Sequence, residues 1–202
     1  MEFGGLFLGL GNPGQTYANT RHNFGFMLAD AIVAVCEREG DATPLSGGKK
    51  LYEAWKCRLP VKGRPTWIVA KPQTFMNKSG EAAVPLLQYY KIPLSGLVAA
   101  HDELDLPLGR MRFKLGGGAA GHNGIRSITL CTGSQEFYRL RLGIGKPAGY
   151  DITSFVLGKF SEQEKPLLAD VLAAAVNGFF TFCAEGFVKA QQTINTFTIS
   201  QE

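Results

Sequence analysis

The chain has 202 residues, 45% of them apolar, and a formal net charge of +4. That suits one globular unit over residues 1–202 with C-terminal helices from about residue 161, and the mild charge permits a phosphate-bearing partner without demanding one. Four scattered cysteines, no Cys-x-x-Cys pair and only three histidines argue against a disulfide framework and against a metal site. The start, Met1-Glu2-Phe3-Gly4-Gly5, lacks the basic residues of a secretion signal, and the apolar run at residues 171–176 is short, so a cytoplasmic protein with no membrane contact is expected.

Residues 3–10 are apolar and end at Gly11-Asn12-Pro13-Gly14, which predicts a strand and a turn. Residues 15–21 are polar and read as loop. From Asn23, the spacing of Phe24, Met27, Leu28, Ala31, Ile32 and Val35 predicts a helix with one apolar face, closed by Gly40. Residues 41–50 read as a flexible connection. Strands are predicted over residues 52–59 and 66–71, joined at Lys62-Gly63-Arg64-Pro65. A loop over residues 72–77 leads into a helix over 78–90, where Pro85 predicts a kink or a late start. Residues 97–100 predict a buried strand whose end delivers His101-Asp102-Glu103.

A strand over residues 111–115 carries basic residues at alternate positions, Arg110, Arg112 and Lys114. The loop GGGAAGHNG over residues 116–124 precedes a helix from Ile125, and a strand over 138–144 carries Arg139 and Arg141. Ser161-x-x-Glu164 is a capping box before the apolar face of Leu167, Leu168, Val171, Leu172, Ala175 and Phe179, and a last short helix follows Gly186. Strands interleaved with helices predict an α/β single-domain three-layer sandwich, a mixed twisted sheet with helices on both faces.

The chemistry concentrates in GLGNPGQTYANTRHNFGF, residues 9–26. Gly-rich turns allow close backbone approach, Asn12 and Asn23 offer neutral amides, and His22 titrates near neutrality. Those groups suit hydrolysis without a serine or cysteine nucleophile and without a metal. The same stretch reads G-x-G-x-x-G at Gly9, Gly11 and Gly14. A dinucleotide site also needs a helix opening among the glycines and an acidic residue at a second strand end, and neither is predicted. No Walker A motif and no G-x-S-x-G elbow is present.

His101 and Asp102 are neighbours on a strand, so they point to opposite faces and only one can face the cleft. An acid that orients a histidine would then be Asp102 acting on His22, with His122 the second choice of base. Asn77 at a helix start and Asn123 in the Gly-rich loop are further amides, and N-capping is the plain reading of Asn77. Arg110, Arg112, Lys114, Arg126, Arg139, Arg141 and Lys146 crowd one third of the sequence. Their alternation on two strands beside a Gly-rich loop favours a phosphate-binding face over a merely solvated one.

Five stretches in order, GLGNPGQTYANTRHNFGF, KPQTFMNKSG, HDELDLPLGRMRFKLGGG, GHNGIRSI and FYRLRLGIGKP, resemble the successive signatures of the bacterial-type peptidyl-tRNA hydrolase family. The resemblance implies a cytoplasmic monomer, without cofactor, that cleaves the ester between a peptide and the 3′ ribose of tRNA. It implies His22 as general base, Asp102 as the carboxylate that holds it, Asn12 as a peptide contact and Asn77 near the scissile carbonyl. Tyr17, Phe75 and Asn123 would line the cleft, and Lys114 and Arg141 match positions that face the tRNA acceptor arm. Where many relatives have His-Gly, this chain has Ala119-Ala120. A non-catalytic RNA-binding relative on the same scaffold is the alternative, and a dinucleotide enzyme the third reading.

Overall fold

The structure, a computed structural model, describes residues 3–39, 41–46, 51–146, 149 and 151–199. Seven strands form one sheet: β1 (Gly5–Gly9), β2 (Ala42–Pro44), β3 (Tyr52–Arg58), β4 (Thr66–Pro72), β5 (Leu97–Glu103), β6 (Met111–Leu115) and β7 (Tyr138–Gly143), in the order β2-β3-β4-β1-β5-β7-β6. The central four, β4, β1, β5 and β7, are parallel, and β2, β3 and β6 run antiparallel at the flanks. The helices are α1 (Phe24–Arg38), α2 (Ser79–Tyr89), α3 (Asn123–Thr132), α4 (Ile152–Val156), α5 (Lys165–Glu185) and α6 (Phe187–Thr196).

The period of two along the strands divides the core into two layers. Phe7, Val69, Val98, Leu140 and Leu142 face α1, α5 and α6, meeting Phe24, Leu28, Ile32, Val171, Ala175 and Phe179. Leu6, Leu8, Ile68, Ala70, Leu97 and Ala99 face α2 and α3, meeting Ala83, Leu86, Ile125 and Ile128. Register enforces this division: Phe7 is level with Val69 and Val98, and Leu6 with Ile68 and Leu97. Burial on both sides explains why the central strands read as unbroken apolar runs. The mixed sheet with helices on both faces is the predicted architecture.

Several local expectations shift. The apolar stripe of α1 is rotated: Phe24, Leu28, Ala29, Ile32, Val33 and Cys36 are buried, while Met27, Ala31 and Val35 pack at its margin. The predicted closing residue, Gly40, lies outside the described residues. Residues 42–44 are not loop but the edge strand β2, paired with Cys57, Lys56 and Trp55. Three residues with a proline carry too little pattern to be read alone, and Pro44 suits an edge. Pro85 neither delays nor ends α2, which starts at Ser79 and runs through it. α4 was not anticipated; Asp151 caps it, its side chain accepting from Ser154 N–H at 2.9 Å.

The capping box forms: Ser161 N–H donates to Glu164 Oε2 at 2.6 Å and Glu164 N–H to Ser161 Oγ at 3.3 Å. The helix beyond it, α5, is long and apolar enough, with a stretch of mean hydropathy 1.8, to pass for a membrane span on length and composition. Here Val171, Ala175, Val176, Gly178 and Phe179 are buried in the protein core, and Asp170 and Asn177 interrupt the apolar run that the sequence shows.

A very close backbone approach sits where α1 crosses the end of β1. A Cβ on Gly9 would lie 2.2 Å from Gly25 O, and one on Gly25 would lie 2.3 Å from Ala100 O and 2.4 Å from Leu10 N. Backbone cannot retreat as a side chain can, so neither position tolerates a methyl group. Gly25→Ala is expected to cost about 3 kcal/mol, the upper range for overpacking, read as a lower urea midpoint with an unchanged m-value. A loss under 0.5 kcal/mol would contradict this crossing.

Candidate active site

The carboxyl ends of β1 and β5 open onto a cavity of about 550 Å³. Open α/β sheets place ligand crevices at this edge because the loops that leave the strands diverge there. Asn12, His22, Phe75, Asn77, Asp102, His122 and Asn123 all line it. Six of these are predicted site residues drawn from four distant stretches, and His122 is the predicted second-choice base.

The loop after β1 is held rigidly. Asn23, which precedes α1, clamps Asn12 from both sides: its Oδ1 accepts Asn12 N–H at 2.8 Å and its Nδ2 donates to Asn12 O at 2.9 Å. Asn12 Oδ1 accepts Met76 N–H at 2.7 Å, which joins this loop to the one after β4. Asn12 Nδ2 has no partner among the described residues, although the residue is 7% exposed. His22 sits in the turn before α1, and its neighbour Arg21 anchors that turn. The Arg21 guanidinium donates to Lys159 O at 2.7 Å and to both Glu164 oxygens at 2.8 and 3.1 Å.

Asp102 is the hub. It is 4% exposed, and His22 Nδ1 lies 2.9 and 3.1 Å from its two oxygens. His122 Nε2 lies 3.0 Å from Oδ1. Burial alone would raise the pKa of this carboxyl, but His122 and His22 outweigh it and hold the pKa well below the usual carboxylate range. An ionised Asp102 can only accept, so both ring nitrogens that face it carry protons. That leaves His22 Nε2 with a free lone pair beside the cavity.

His122 is different. Its Nδ1 accepts Ile125 N–H at 3.3 Å, so the ring serves as the N-cap of α3. With Nδ1 accepting and Nε2–H donating, both nitrogens are committed. Both nitrogens being engaged disfavours His122, the second choice of base, relative to His22. The same tautomer bears on metal binding. His22, Asp102 and His122 group their ligand atoms within 4.8 Å, but His122 presents a proton where a metal needs a lone pair.

His101 does point away from the cavity. Its Nδ1–H donates to Asp102 O at 2.7 Å, and its ring centroid lies 4.6 Å from that of His122. Burial and the adjacent His122 hold it neutral, with a pKa well below the usual histidine value.

Tyr17 stands outside the cavity lining but meets Phe75 edge-on, with centroids 6.2 Å apart; Phe75 is 56% exposed. Lys114 and Arg141 also lie outside the lining. They share the α2/α3 side of the sheet, where Lys114 is level with Arg139 and Arg112 with Arg141. Arg141 Nε donates to Glu103 Oε2 at 2.7 Å, and Glu103 borders the cavity. Partial burial, then Arg141 and Arg139, lowers the Lys114 pKa. Arg139 is a correction to the predicted basic face. It is buried, donates to Gly118 O at 2.6 Å and lies over the Phe137 ring at 4.7 Å. It serves the Gly-rich loop rather than the surface.

In that loop Ala120 takes a left-handed φ of 47°. This conformation costs an alanine roughly 1–2 kcal/mol more than glycine, so the Ala119-Ala120 departure places strain beside the cavity. One wall went unread in the sequence: Ile152, Thr153, Val156 and Leu157 of α4 and its end close the cavity opposite the loops. The signal was present in Asp151-x-x-Ser154 with Ile152, Phe155 and Val156 at helical spacing.

A three-layer α/β fold with a histidine–carboxylate pair and convergent amides at its strand ends suits a hydrolase. The comparisons make this particular. The peptidyl-tRNA hydrolase family model matches residues 6–202. A peptidyl-tRNA hydrolase of Nitratidesulfovibrio vulgaris (strain DP4) is 54% identical over 200 residues, covering 98% of this chain and 99% of the relative. That of Idiomarina loihiensis is 43% identical over 199 residues, covering 98% and 96%. The crystal structure of peptidyl-tRNA hydrolase from Acinetobacter baumannii superposes with a TM-score of 0.86 at 32% identity, covering 98% of each chain. A peptidyl-tRNA hydrolase crystallised with N-propanol gives a TM-score of 0.87, also at 32% identity, covering 99% of this chain and all of that one. The chain belongs to the peptidyl-tRNA hydrolase family, and the enzyme is favoured over the non-catalytic relative.

Buried neutral His101 gives the fold a pH signature. Its folded pKa lies below that of an unfolded histidine, about 6.5, so the unfolded chain binds a proton that the folded chain refuses. Stability is complete above that pH and falls as the pH drops through it, by up to about 1.4 kcal/mol per unit. His101→Leu should flatten the stability curve between about pH 4.5 and 6.5. A wild-type slope in the variant would show that His101 is not the group titrating.

Proposed function

We propose that this chain hydrolyses the ester joining a peptide to the 3′ ribose of tRNA, with His22 as general base. The observation that carries this reading is the contact of His22 Nδ1 with the Asp102 carboxylate at 2.9 Å, beside a cavity lined by amides. With Nδ1–H donating to Asp102, a neutral ring presents the lone pair of Nε2.

A water beside Nε2 gives its proton to the ring as its oxygen bonds to the acyl carbon. The ionised Asp102 stabilises the resulting imidazolium without taking the proton. The amides of Asn12, Asn77 and Asn123 are the neutral donors available to the carbonyl oxygen as charge develops there. Collapse breaks the bond to the ribose 3′ oxygen, and Nε2–H protonates that leaving group. An ester needs no covalent intermediate for this sequence. His122 does not exchange protons; it supports Asp102 from the far side and ties it to α3.

Tyr17 and Phe75 form an aromatic edge suited to stacking against the terminal base or an apolar side chain. Arg141, bonded to Glu103 at the cavity rim, and Lys114 on the same side of the sheet are basic groups suited to acceptor-arm phosphates. Every group named comes from one chain, which suits a monomer. A by-product of translation as substrate implies action in the cytoplasm.

His22→Ala is expected to lower kcat about 10²–10⁴-fold on N-acetylaminoacyl-tRNA, with the fold retained because His122 still pairs Asp102. Asp102→Asn should fall comparably, because its amide would present N–H to Nδ1 and turn the tautomer. Near-normal turnover by either variant removes the base assignment. It would favour the non-catalytic RNA-binding relative only if wild-type protein also bound tRNA without releasing it.

Lys114→Gln/Arg141→Gln should raise KM for full-length substrate and shallow its dependence on salt by about one to two phosphate contacts. A minimal nucleotide ester should be little affected. Equal losses on both substrates would take these residues off the tRNA face.

A further inference from the structure

His22 is the middle residue of the short turn Arg21–Asn23, and each member of that turn is tied to a different part of the molecule. Asn23 clamps the loop after β1, and His22 meets Asp102 on β5. Arg21 reaches the other way, into the segment that joins α4 to α5. Its backbone N–H donates to Gly158 O at 2.9 Å, and the preceding Thr20 pairs with Lys159 in an isolated antiparallel bridge. Its Nη1 donates to Lys159 O at 2.7 Å, and its Nη2 to the two Glu164 oxygens at 2.8 and 3.1 Å. The guanidinium also lies 4.5 Å from the ring centroid of Phe155, a residue of α4, and 5.2 Å from that of Phe160.

This segment carries one wall of the catalytic cavity. Ile152, Thr153, Val156 and Leu157 line it. Leu157 N–H donates to Thr153 O at 3.1 Å and Gly158 N–H to Phe155 O at 3.0 Å, so the wall passes into Gly158 without a slack link. A helix of five residues is too short to hold itself in place. Its position depends on what grips its end, and Arg21 does so through backbone, guanidinium and ring contacts together. The Arg21 side chain is 12% exposed. Its Nε is buried with no partner among the described residues, a cost that the other contacts offset. Burial would raise the Glu164 pKa, but Ser161 and Arg21 hold it below the usual carboxylate value. Arg21, Phe155, Phe160 and Glu164 all stand outside the cavity lining.

We propose that Arg21 is a positioning residue for the hydrolysis: it fixes the gap between His22 on its own turn and the α4 wall, so that an acyl group resting on that wall meets His22 Nε2 at reacting distance. This rests on the hydrolase reading and deepens it. The planar fork is what matters, because its two Nη groups hold two separate anchors while its face lies on Phe155. A lysine would keep the charge and lose both features. A misplacement of about 1 Å at a reacting centre can cost about 10²-fold in rate.

The test measures kcat and KM on N-acetylaminoacyl-tRNA for Arg21→Lys, Glu164→Gln and the double variant, at a temperature where circular dichroism shows each of them folded. Glutamine at 164 can keep the capping box with Ser161 but offers Arg21 no charge. Each single variant should lower kcat about tenfold and change KM less than about twofold, since no lining residue is altered. The double variant should be no slower than the slower single, because both break one contact. Wild-type kcat in Arg21→Lys would assign the charge rather than the fork and overturn the proposal. Losses that multiply in the double variant, or a raised KM with kcat unchanged, would overturn it as well.

A second readout does not need turnover. The imidazole N–H signal of His22 in the nuclear magnetic resonance spectrum, identified by its loss in His22→Ala, should shift in both single variants. An unmoved signal removes the positioning role whether or not the ester is cleaved. Failure of the wild type to release tRNA, with the signal shifting as expected, would instead overturn the hydrolase reading and the catalytic meaning of the bracket with it.

Discussion

Everything at this site hangs on one buried carboxylate. Asp102 lies at the end of β5 with almost no contact with water, and it remains ionised because two imidazole N–H groups reach it from opposite layers of the sandwich. His22 arrives from the turn before α1 and His122 from the cap of α3. An unpaired carboxylate there would carry a large desolvation cost. The pairing therefore serves folding and chemistry together. The charge that makes the two helix starts converge is the charge that sets the tautomer of His22.

That convergence needs α1 to lie close against the sheet, which Gly9 and Gly25 permit. Their mutual approach gives the first glycine of the G-x-G-x-x-G pattern a packing role. The remaining glycines do not open a helix: a short turn at Gln15–Tyr17 follows, and α1 begins only at Phe24. The dinucleotide reading fails for a geometric reason, since no helix N-terminus stands at the glycines to face a pyrophosphate.

Much of this was legible in the residues, and what was not has a common cause. Long central strands and long amphipathic helices advertise themselves by period, so β1, β3, β4, β6, β7, α1, α3 and α5 stand about where expected. The pairing of Asp102 with His22 rather than His101 followed from the alternation of a strand. β2 and α4 were missed because three and five residues span too little of a period to register. Arg139 was misread because alternation tells which face a residue occupies but not whether that face is covered there. His122 was misjudged for a subtler reason. Its role depends on which of its nitrogens the Ile125 amide uses, and no sequence pattern records a tautomer.

The two histidines on Asp102 show how one chemical type is divided into two functions by a single backbone bond. Both donate to the same oxygen. The ring whose second nitrogen meets a helix amide is closed, and becomes part of the scaffold. The ring whose second nitrogen meets the cavity is open, and can accept a proton. Removing the Ile125 amide from His122 would leave a second ring on the same carboxylate with its outer nitrogen open. The start of α3 is thus as much a part of the catalytic arrangement as the base itself, because it decides which histidine is free to react.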